Sequence, residues 1–332
     1  MKLHFKILLP ILLIIIILGS YLYYLLYSPK QIKETIIEIE KGEPALSIAD
    51  KLYDKNLIHS REAFYLYIKF TGAQGDLSYG KYLFKGNLNM IDIIKLIQSG
   101  KVLLRKITIQ EGLPAWKTCK LLSQKGFGDY RTFIKLYSDS TFAKKLTGFN
   151  IPNLEGFLYP ETYFFPEESS EAFILEHLVK EFFNQTSDLD FKPNKLLNFY
   201  ETIILASIVE REARLMREKP TIASVYINRL EDNYKLQADP TVAYVLELQG
   251  KNRKKIYYKD LLIDSPYNTY KHYGLPPTPI CSPSRTSIEA VLNPAETDFY
   301  FFFADGTGGH EFTKTYKQHI FRQNQIKANN GK

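Results

Sequence analysis

The sequence predicts an α+β protein carried on a single N-terminal transmembrane helix, and three observations carry that expectation. Residues Ile7 to Tyr27 form a run of 21 without a charge. Beyond it, a short alternating strand, a Gly/Pro turn and an amphipathic helix occur twice, 70 residues apart. The second half then joins strongly helical stretches through proline-rich segments, the pattern of a mixed α/β domain with a loop-rich cleft.

At about 1.5 Å per residue, the uncharged run covers the ~30 Å hydrocarbon core of a bilayer. Tyr21, Tyr23, Tyr24 and Tyr27 stand where an interfacial aromatic belt belongs. A cleaved signal peptide would carry an apolar region of only ~7–15 residues and an Ala-x-Ala-like site. Neither is present, and no cysteine follows to accept a lipid. The expectation is an uncleaved anchor at 7–27 behind a cytoplasmic tail of residues 1–6. Lys2 and Lys6 before the span are matched by Lys30 and Lys33 after it, so charge alone leaves the orientation open. A signal anchor would export the rest of the chain.

Residues 28–36 read as a polar stalk. Ile37-Glu-Ile-Glu-Lys-Gly42-Glu-Pro44-Ala45 then recurs as Ile107-Thr-Ile-Gln-Glu-Gly112-Leu-Pro114-Ala115, and Leu52 and Lys55 recur as Leu122 and Lys125. Each copy reads as strand, turn and helix, with the helices at 45–55 and 115–125. Two copies are too few for a solenoid, so residues 37–150 are expected to form small paired modules. Ser60–Phe70 and Met90–Gln98 have helical periodicity, and Asp76–Lys85 reads as a strand. A loop at Gly148–Pro152 opens a second domain, 151–326, before a tail at 327–332. Within that domain Ser170–Thr186 and Phe199–Glu218 are helical, and Pro220–Leu230 starts another helix. Leu236 to Pro294 is loop-rich, with so many prolines that a shaped cleft is expected. Phe299–Ala304 is a strand whose Asp305–Gly309 turn leads into His310-Glu-Phe-Thr.

Composition excludes several function classes. The 332 residues are 45% apolar and 24% charged, a globular balance. A net charge of +7 suits an anionic polymer or a membrane surface but is too modest to nominate nucleic acid. Two cysteines, Cys119 and Cys281, exclude a disulfide-dense scaffold and a four-thiolate zinc site. No HExxH pair occurs, and the glycines at 306–309 lack a phosphate-loop pattern. The basic run 251–255 reads as a solvated loop. The 24 tyrosines and 22 phenylalanines include faces able to stack on sugars.

The chemistry centres on the helix Thr202-Ile-Ile-Leu-Ala-Ser-Ile-Val-Glu210-Arg-Glu212, where a carboxylate follows eight uncharged residues. A carboxyl held against apolar surface loses solvation of its ionised form, so its pKa rises toward the range of a general acid. Periodicity does not choose between Glu210 and Glu212, and Arg214 would pull Glu210 downward if the two paired.

Several blocks together carry a resemblance: Leu154-Glu155-Gly156 with Tyr159-Pro-Glu161-Thr-Tyr163; Leu205-Ala-Ser-Ile-Val-Glu210-Arg-Glu212; Ile222-Ala-Ser-Val-Tyr-Ile-Asn228-Arg229-Leu230; Leu236-Gln237-Ala-Asp239-Pro240-Thr241; Ser265-Pro-Tyr267-Asn268-Thr269-Tyr270; Gly274-Leu-Pro-Pro277; Ala290-Val-Leu-Asn-Pro294; and Gly308-Gly-His310-Glu-Phe312. In this order and spacing, residues 35–325 resemble the endolytic murein transglycosylase family, MltG or YceG-like. The resemblance implies a membrane-anchored lyase that cuts the N-acetylmuramic acid–N-acetylglucosamine bond inside nascent peptidoglycan strands, without water, leaving 1,6-anhydro ends. It maps the catalytic carboxylate onto Glu210, as acid and then base, where Glu210-Arg-Glu-Ala replaces the more usual Glu-Lys-Glu-Thr. The reaction so implied needs no metal or organic cofactor, and it differs from that of ordinary glycosidases, which use a pair of carboxylates. Glu155, Asn228, Gln237, Tyr267, Asn268, Thr269 and Tyr270 are candidate substrate-binding residues. Asp239 is a candidate turn or cap, and His310 is read as holding its hairpin to the cleft rather than as a ligand. The membrane-proximal region resembles the family's LysM-like subdomain. Glycan strands, the membrane and glycan-polymerising synthases (penicillin-binding proteins) are the implied partners, at the outer face of the cytoplasmic membrane. Two rival readings are an inert glycan-binding scaffold and a hydrolytic muramidase.

Overall fold

The computed structural model describes residues 2–191, 196–251 and 255–330, so the centre of the basic run 251–255 lies outside the described residues. Helices and strands are mixed throughout, as an α+β chain requires. Contacts divide the chain into two compact units, residues 1–106 with 164–169, and residues 107–163 with 170–332.

In the first unit, helix α1 (Lys2–Tyr27) contains a 19-residue stretch, Leu9–Tyr27, apolar and long enough to cross a membrane and almost wholly exposed. Strand β1 (Lys30–Ile39) follows at once. It takes up most of the stretch expected to be a stalk, because Ile32, Ile37 and Ile39 all have a core to enter. Helix α2 (Ala45–Asp54) starts behind Pro44 and buries Ala45, Ile48, Ala49 and Leu52, one stripe at helical spacing. Helix α3 (Arg61–Thr71) is capped by Ser60, whose side chain accepts from Ala63 N–H, and is closed by Gly72 at φ 71°. Strand β2 (Gly80–Leu88) pairs antiparallel with β1 from Lys30↔Leu88 to Ile39↔Gly80. Helix α4 (Met90–Gln98) opens with a capping box between Asn89 and Asp92 and buries five apolar residues. Tyr82 is fully buried, and its hydroxyl donates to the carbonyls of Ser78 and Ile97, which satisfies the one polar atom it brings into the core.

Strand β3 (Leu104–Thr108) leads to the second copy of the repeat, which belongs to the second unit. The second compact unit therefore begins at residue 107. Helix α5 (Ala115–Gln124) starts behind Pro114 and buries Ala115, Thr118, Cys119 and Leu122, the same four positions as α2 shifted by 70. Local bonds explain its allegiance: Gly112 N–H donates to Ser282 O, and Ser282 N–H donates to Leu113 O. Helices α6 (Tyr130–Tyr137) and α7 (Ser140–Thr147) are capped by Asp129 and Asp139. Strand β4 (Thr162–Pro166) pairs with β3. Helix α8 (Glu171–Thr186) follows.

Helix α9 (Phe199–Glu212) buries eight consecutive residues, Thr202 to Val209, and so forms the centre of this unit. It stops at Glu212, short of the expected Glu218. Ala213 turns extended, and a 3₁₀ turn at Met216–Glu218 precedes α10 (Lys219–Glu231), with Pro220 in its first turn. The proline-rich stretch is less irregular than its composition suggests, since α11 (Asp239–Leu248) and α12 (Arg285–Leu292) lie within it. Pro240 sits in the first turn of α11, where a missing N–H costs nothing. Strands β5 (Phe301–Ala304) and β6 (His310–Thr313) form the expected hairpin, and α13 (Tyr316–Asn330) continues as helix into the expected tail. Gly156, at φ 91°, lies where a Cβ would come within 2.6 Å of Pro279, which ties the Leu154-Glu155-Gly156 block to the loop ahead of α12.

Candidate active site

Helix α9 leaves the core at its C-terminal turn and delivers two carboxylates two residues apart. At 100° per residue they point in widely different directions, and they meet opposite environments.

Glu210 points inward. Its Oε2 accepts from Ser284 N–H at 2.8 Å, Ser284 Oγ at 2.5 Å and Ser287 Oγ at 2.7 Å. Lys219 Nζ lies 3.2 Å from the same oxygen, and both side chains are 7% exposed. Burial pushes the Glu210 carboxyl up, but the Ser284 hydroxyl, the Lys219 charge and the Ser287 hydroxyl together outweigh it. The group ends below the ordinary carboxylate range. Burial at the end of an apolar run works in the opposite direction, and it is Lys219 and Ser284, brought in by the break after α9 and by α12, that reverse the sign here.

Glu212 shifts upward, the direction that burial alone gives a carboxyl. Its Oε1 accepts from the Tyr226 hydroxyl at 2.6 Å, and Oε2 has no protein partner among the described residues. Burial raises its pKa to about 7; the Tyr226 bond lowers it, Asp239 raises it further and Arg229 opposes. The Tyr226 hydroxyl is itself driven well above its usual pKa by burial, so it remains a donor to Oε1. An acid proton on Glu212 therefore belongs on Oε2.

Glu212 lines a cavity of about 800 Å³, together with Tyr226, Arg229, Gln237, Asp239, Tyr270 and His310. Arg229 is buried and gives its hydrogens to the carbonyls of Tyr300, Lys235 and Leu236, with its guanidinium 5.1 Å from the Phe301 ring centre. It is thus a fixed positive charge beside Glu212, able to steady that carboxylate once its proton has gone. Arg211 also borders the cavity but is engaged by Glu247 at 2.6 Å. Arg214 and Lys255 border it with no ion pair among the described residues.

The other sequence candidates divide sharply. Gln237 is exposed on the cavity wall at φ 48°, a left-handed conformation rare for a side chain of its size. Tyr270 also lines the cavity and donates to Asp239 Oδ1 at 2.6 Å, so Asp239 faces the site and is more than a helix cap. Asn268 and Thr269 do not reach the cavity and are buried. Asn268 Nδ2 donates to Leu261 O and Ile263 O, while Thr269 Oγ1 accepts from Ala238 N–H and meets Thr241 Oγ1. They fix the loop that presents Gln237 and Asp239. Asn228 is likewise occupied, clamping Thr297 O and Phe299 O, and Tyr267 bonds Thr278 away from the cavity.

Glu155 is a correction. It is fully buried, with Oε1 accepting from Ala115 N–H at 2.8 Å and Oε2 from the hydroxyls of Tyr244 and Tyr137. It caps α5 and cannot touch a substrate. Burial raises its pKa to about 7 against these hydrogen bonds. Sequence reasoning missed Tyr226 and Arg229. The available signal was their i, i+3 spacing on α10, which puts them on one face, whereas Asn228 points elsewhere.

Among the described residues, no group of His, Cys, Asp and Glu side chains forms a metal cluster.

Comparison with known proteins adds to this geometry. The sequence profile of the YceG-like family matches residues 37–325. An endolytic murein transglycosylase of Bacillus subtilis (strain 168) is 34% identical over 329 residues, covering 92% of this chain and 89% of that one. One from Streptococcus pneumoniae serotype 2 (strain D39 / NCTC 7466) is 29% identical over 309 residues, covering 83% of this chain and 55% of that longer protein. The crystal structure of a YceG-like protein from Listeria monocytogenes superposes with a TM-score of 0.58 at 31% identity, over 87% of this chain and 98% of that one.

Proposed function

Because this chain belongs to the YceG-like family, we propose that it is an endolytic murein transglycosylase, a lyase that cuts peptidoglycan glycan strands internally, with Glu212 as its acid. The observation that carries the assignment of the acid is that Glu212 lines an 800 Å³ cavity with Oε2 left unpartnered among the described residues, on a carboxyl poised near neutrality. A group with a pKa near the working pH both holds a proton and releases it readily. Glu210, the residue favoured by sequence, is ionised, paired and turned inward, which suits a structural anion.

In this reading the strand lies along the cavity with the bond between N-acetylmuramic acid and N-acetylglucosamine at Glu212. Oε2 protonates the bridging oxygen, and Arg229 steadies the carboxylate left behind. The muramoyl 6-hydroxyl then attacks C1 and closes the 1,6-anhydro ring, giving up its proton to a base, for which the Glu212 carboxylate is available. Gln237, presented by the Asn268–Thr269 loop, is placed to bond an N-acetyl or hydroxyl group, and Tyr270 to offer its ring. The cavity argues against an inert scaffold. A second reading has one specific support: Asp239 faces the same cavity as Glu212, and two carboxylates are what a water-using muramidase needs.

Mass spectrometry of glycan strands digested by the full chain in detergent separates these readings. Anhydromuramoyl ends are expected from the wild type and only a small fraction as many from Glu212→Gln. Reducing ends would favour the muramidase.

In the same reading α1 anchors the enzyme, with the chain beyond it on the outer face of the cytoplasmic membrane and glycan-polymerising synthases as neighbours. The β1–α2–α3–β2 order of the first unit supports a LysM-like module there. Resistance of the chain to alkaline carbonate extraction of membranes, lost on deleting residues 2–27, is the expected outcome for an anchor.

A further inference from the structure

Glu218, in the turn between α9 and α10, commits both carboxylate oxygens to His310 at the start of β6. Oε1 accepts from His310 backbone N–H at 3.1 Å, and Oε2 lies 2.8 Å from Nδ1. Gly309 makes room for this: a Cβ there would sit 2.7 Å from Glu218 Oε1. A carboxylate only accepts, so Nδ1 carries the hydrogen, and in the neutral ring Nε2 is left as an acceptor. His310 lines the cavity, and Nε2 is the nitrogen it has left for an occupant.

The ring is held in place. Phe302 meets it edge-on at 5.3 Å, Tyr226 meets Phe302 edge-on at 5.8 Å, and Tyr226 donates to Glu212. Glu212 and His310 therefore stand on one continuous wall, each fixed through one side-chain atom and each with another left for the cavity. This is the arrangement of an acid and a base with separate supports.

We infer that His310 is a second catalytic residue of the reaction proposed above, its Nε2 accepting the hydrogen of the muramoyl 6-hydroxyl as that oxygen attacks C1. The inference rests on that reaction and divides its two proton transfers between two residues. Glu212 gives its proton to the bridging oxygen, which departs with the electron pair of the breaking C1–O bond. O6 forms the new bond to C1, and its proton passes to Nε2. The resulting imidazolium is stabilised by Glu218 through Nδ1–H. Exchange with solvent then returns a proton to Glu212 and removes one from His310, so no water is consumed.

The test uses the full chain in detergent with His310→Ala and His310→Gln, the latter keeping a side chain able to bond Glu218. Rates and the chemical nature of the strand ends are measured with and without added imidazole. A general base is worth roughly a hundredfold or more in rate. His310→Ala is expected to lose about that factor in anhydro-end formation, to divert part of the remaining product to reducing ends as water competes for C1, and to recover with imidazole. His310→Gln is expected to be slow too. Wild-type rate in either folded variant overturns the inference, as does a slower variant with unchanged end chemistry and no imidazole rescue. A wild type that makes no anhydro ends overturns the underlying reaction instead, a distinguishable result.

Discussion

Glu212→Gln should give a protein that cuts strands at only a small fraction of the wild-type rate yet is more stable than the wild type above neutral pH. Loss of the general acid costs about 10²–10⁴ in rate, and glutamine still accepts from Tyr226. The stability effect follows from linkage. The folded-state pKa of Glu212 is raised from 4.5 to about 7, so the folded protein binds more protons than the unfolded chain between those values. Stability therefore falls as pH rises through that window, and the penalty is complete above the folded pKa. The full shift would correspond to about 3 kcal/mol. Because this carboxyl is partly exposed, about 1–2 kcal/mol is the reasonable expectation. Urea melts at pH 8 should show that gain for Glu212→Gln, shrinking toward zero near pH 4.5. A variant of unchanged stability at both pH values would mean that the acid is not desolvated.

The partner experiment runs the other way. Glu210→Ala should cost about 3–5 kcal/mol at pH 7, because it strands the Lys219 ammonium in a site only 5% exposed. Ser284 Oγ and Thr286 Oγ1 would remain within 3.0 Å of it, but neither carries a charge. The sign also differs in pH. The folded pKa of Glu210 is depressed, so its contribution is present above 4.5 and is lost as pH falls through the folded value. The fraction of Glu210→Ala that remains folded should still generate strand ends. An inactive Glu210→Ala of wild-type stability would reverse the roles assigned to the two glutamates.

Much of the fold was legible because it is local. The repeat gave α2 and α5 their register, and both present the same four buried positions. The uncharged run before Glu210 marked α9 as central. What was not legible depends on partners distant in sequence. Glu155 reads as a candidate substrate-binding residue, yet it is enclosed by Ala115 and Tyr244, 40 and 89 residues away. The choice between Glu210 and Glu212 turned on Lys219, Ser284 and Tyr226, none of them within a helical turn of either. The helices within the proline-rich segment were hidden by a composition rule that overlooks proline's tolerance in a first turn.

The repeat also bears on redox behaviour. Where α2 has Ala49, α5 has Cys119, so the second copy of the repeat carries a thiol at a buried position where the first carries only a methyl group. Burial drives the Cys119 thiol up to about 12, and Cys281 is likewise fully buried and raised well above its usual value. Thiols that scarcely ionise and meet no solvent are poor nucleophiles toward disulfides and peroxides. If the chain beyond α1 lies on the outer, oxidising face of a membrane, as proposed above, both sulfhydryls are expected to stay reduced there because they are buried.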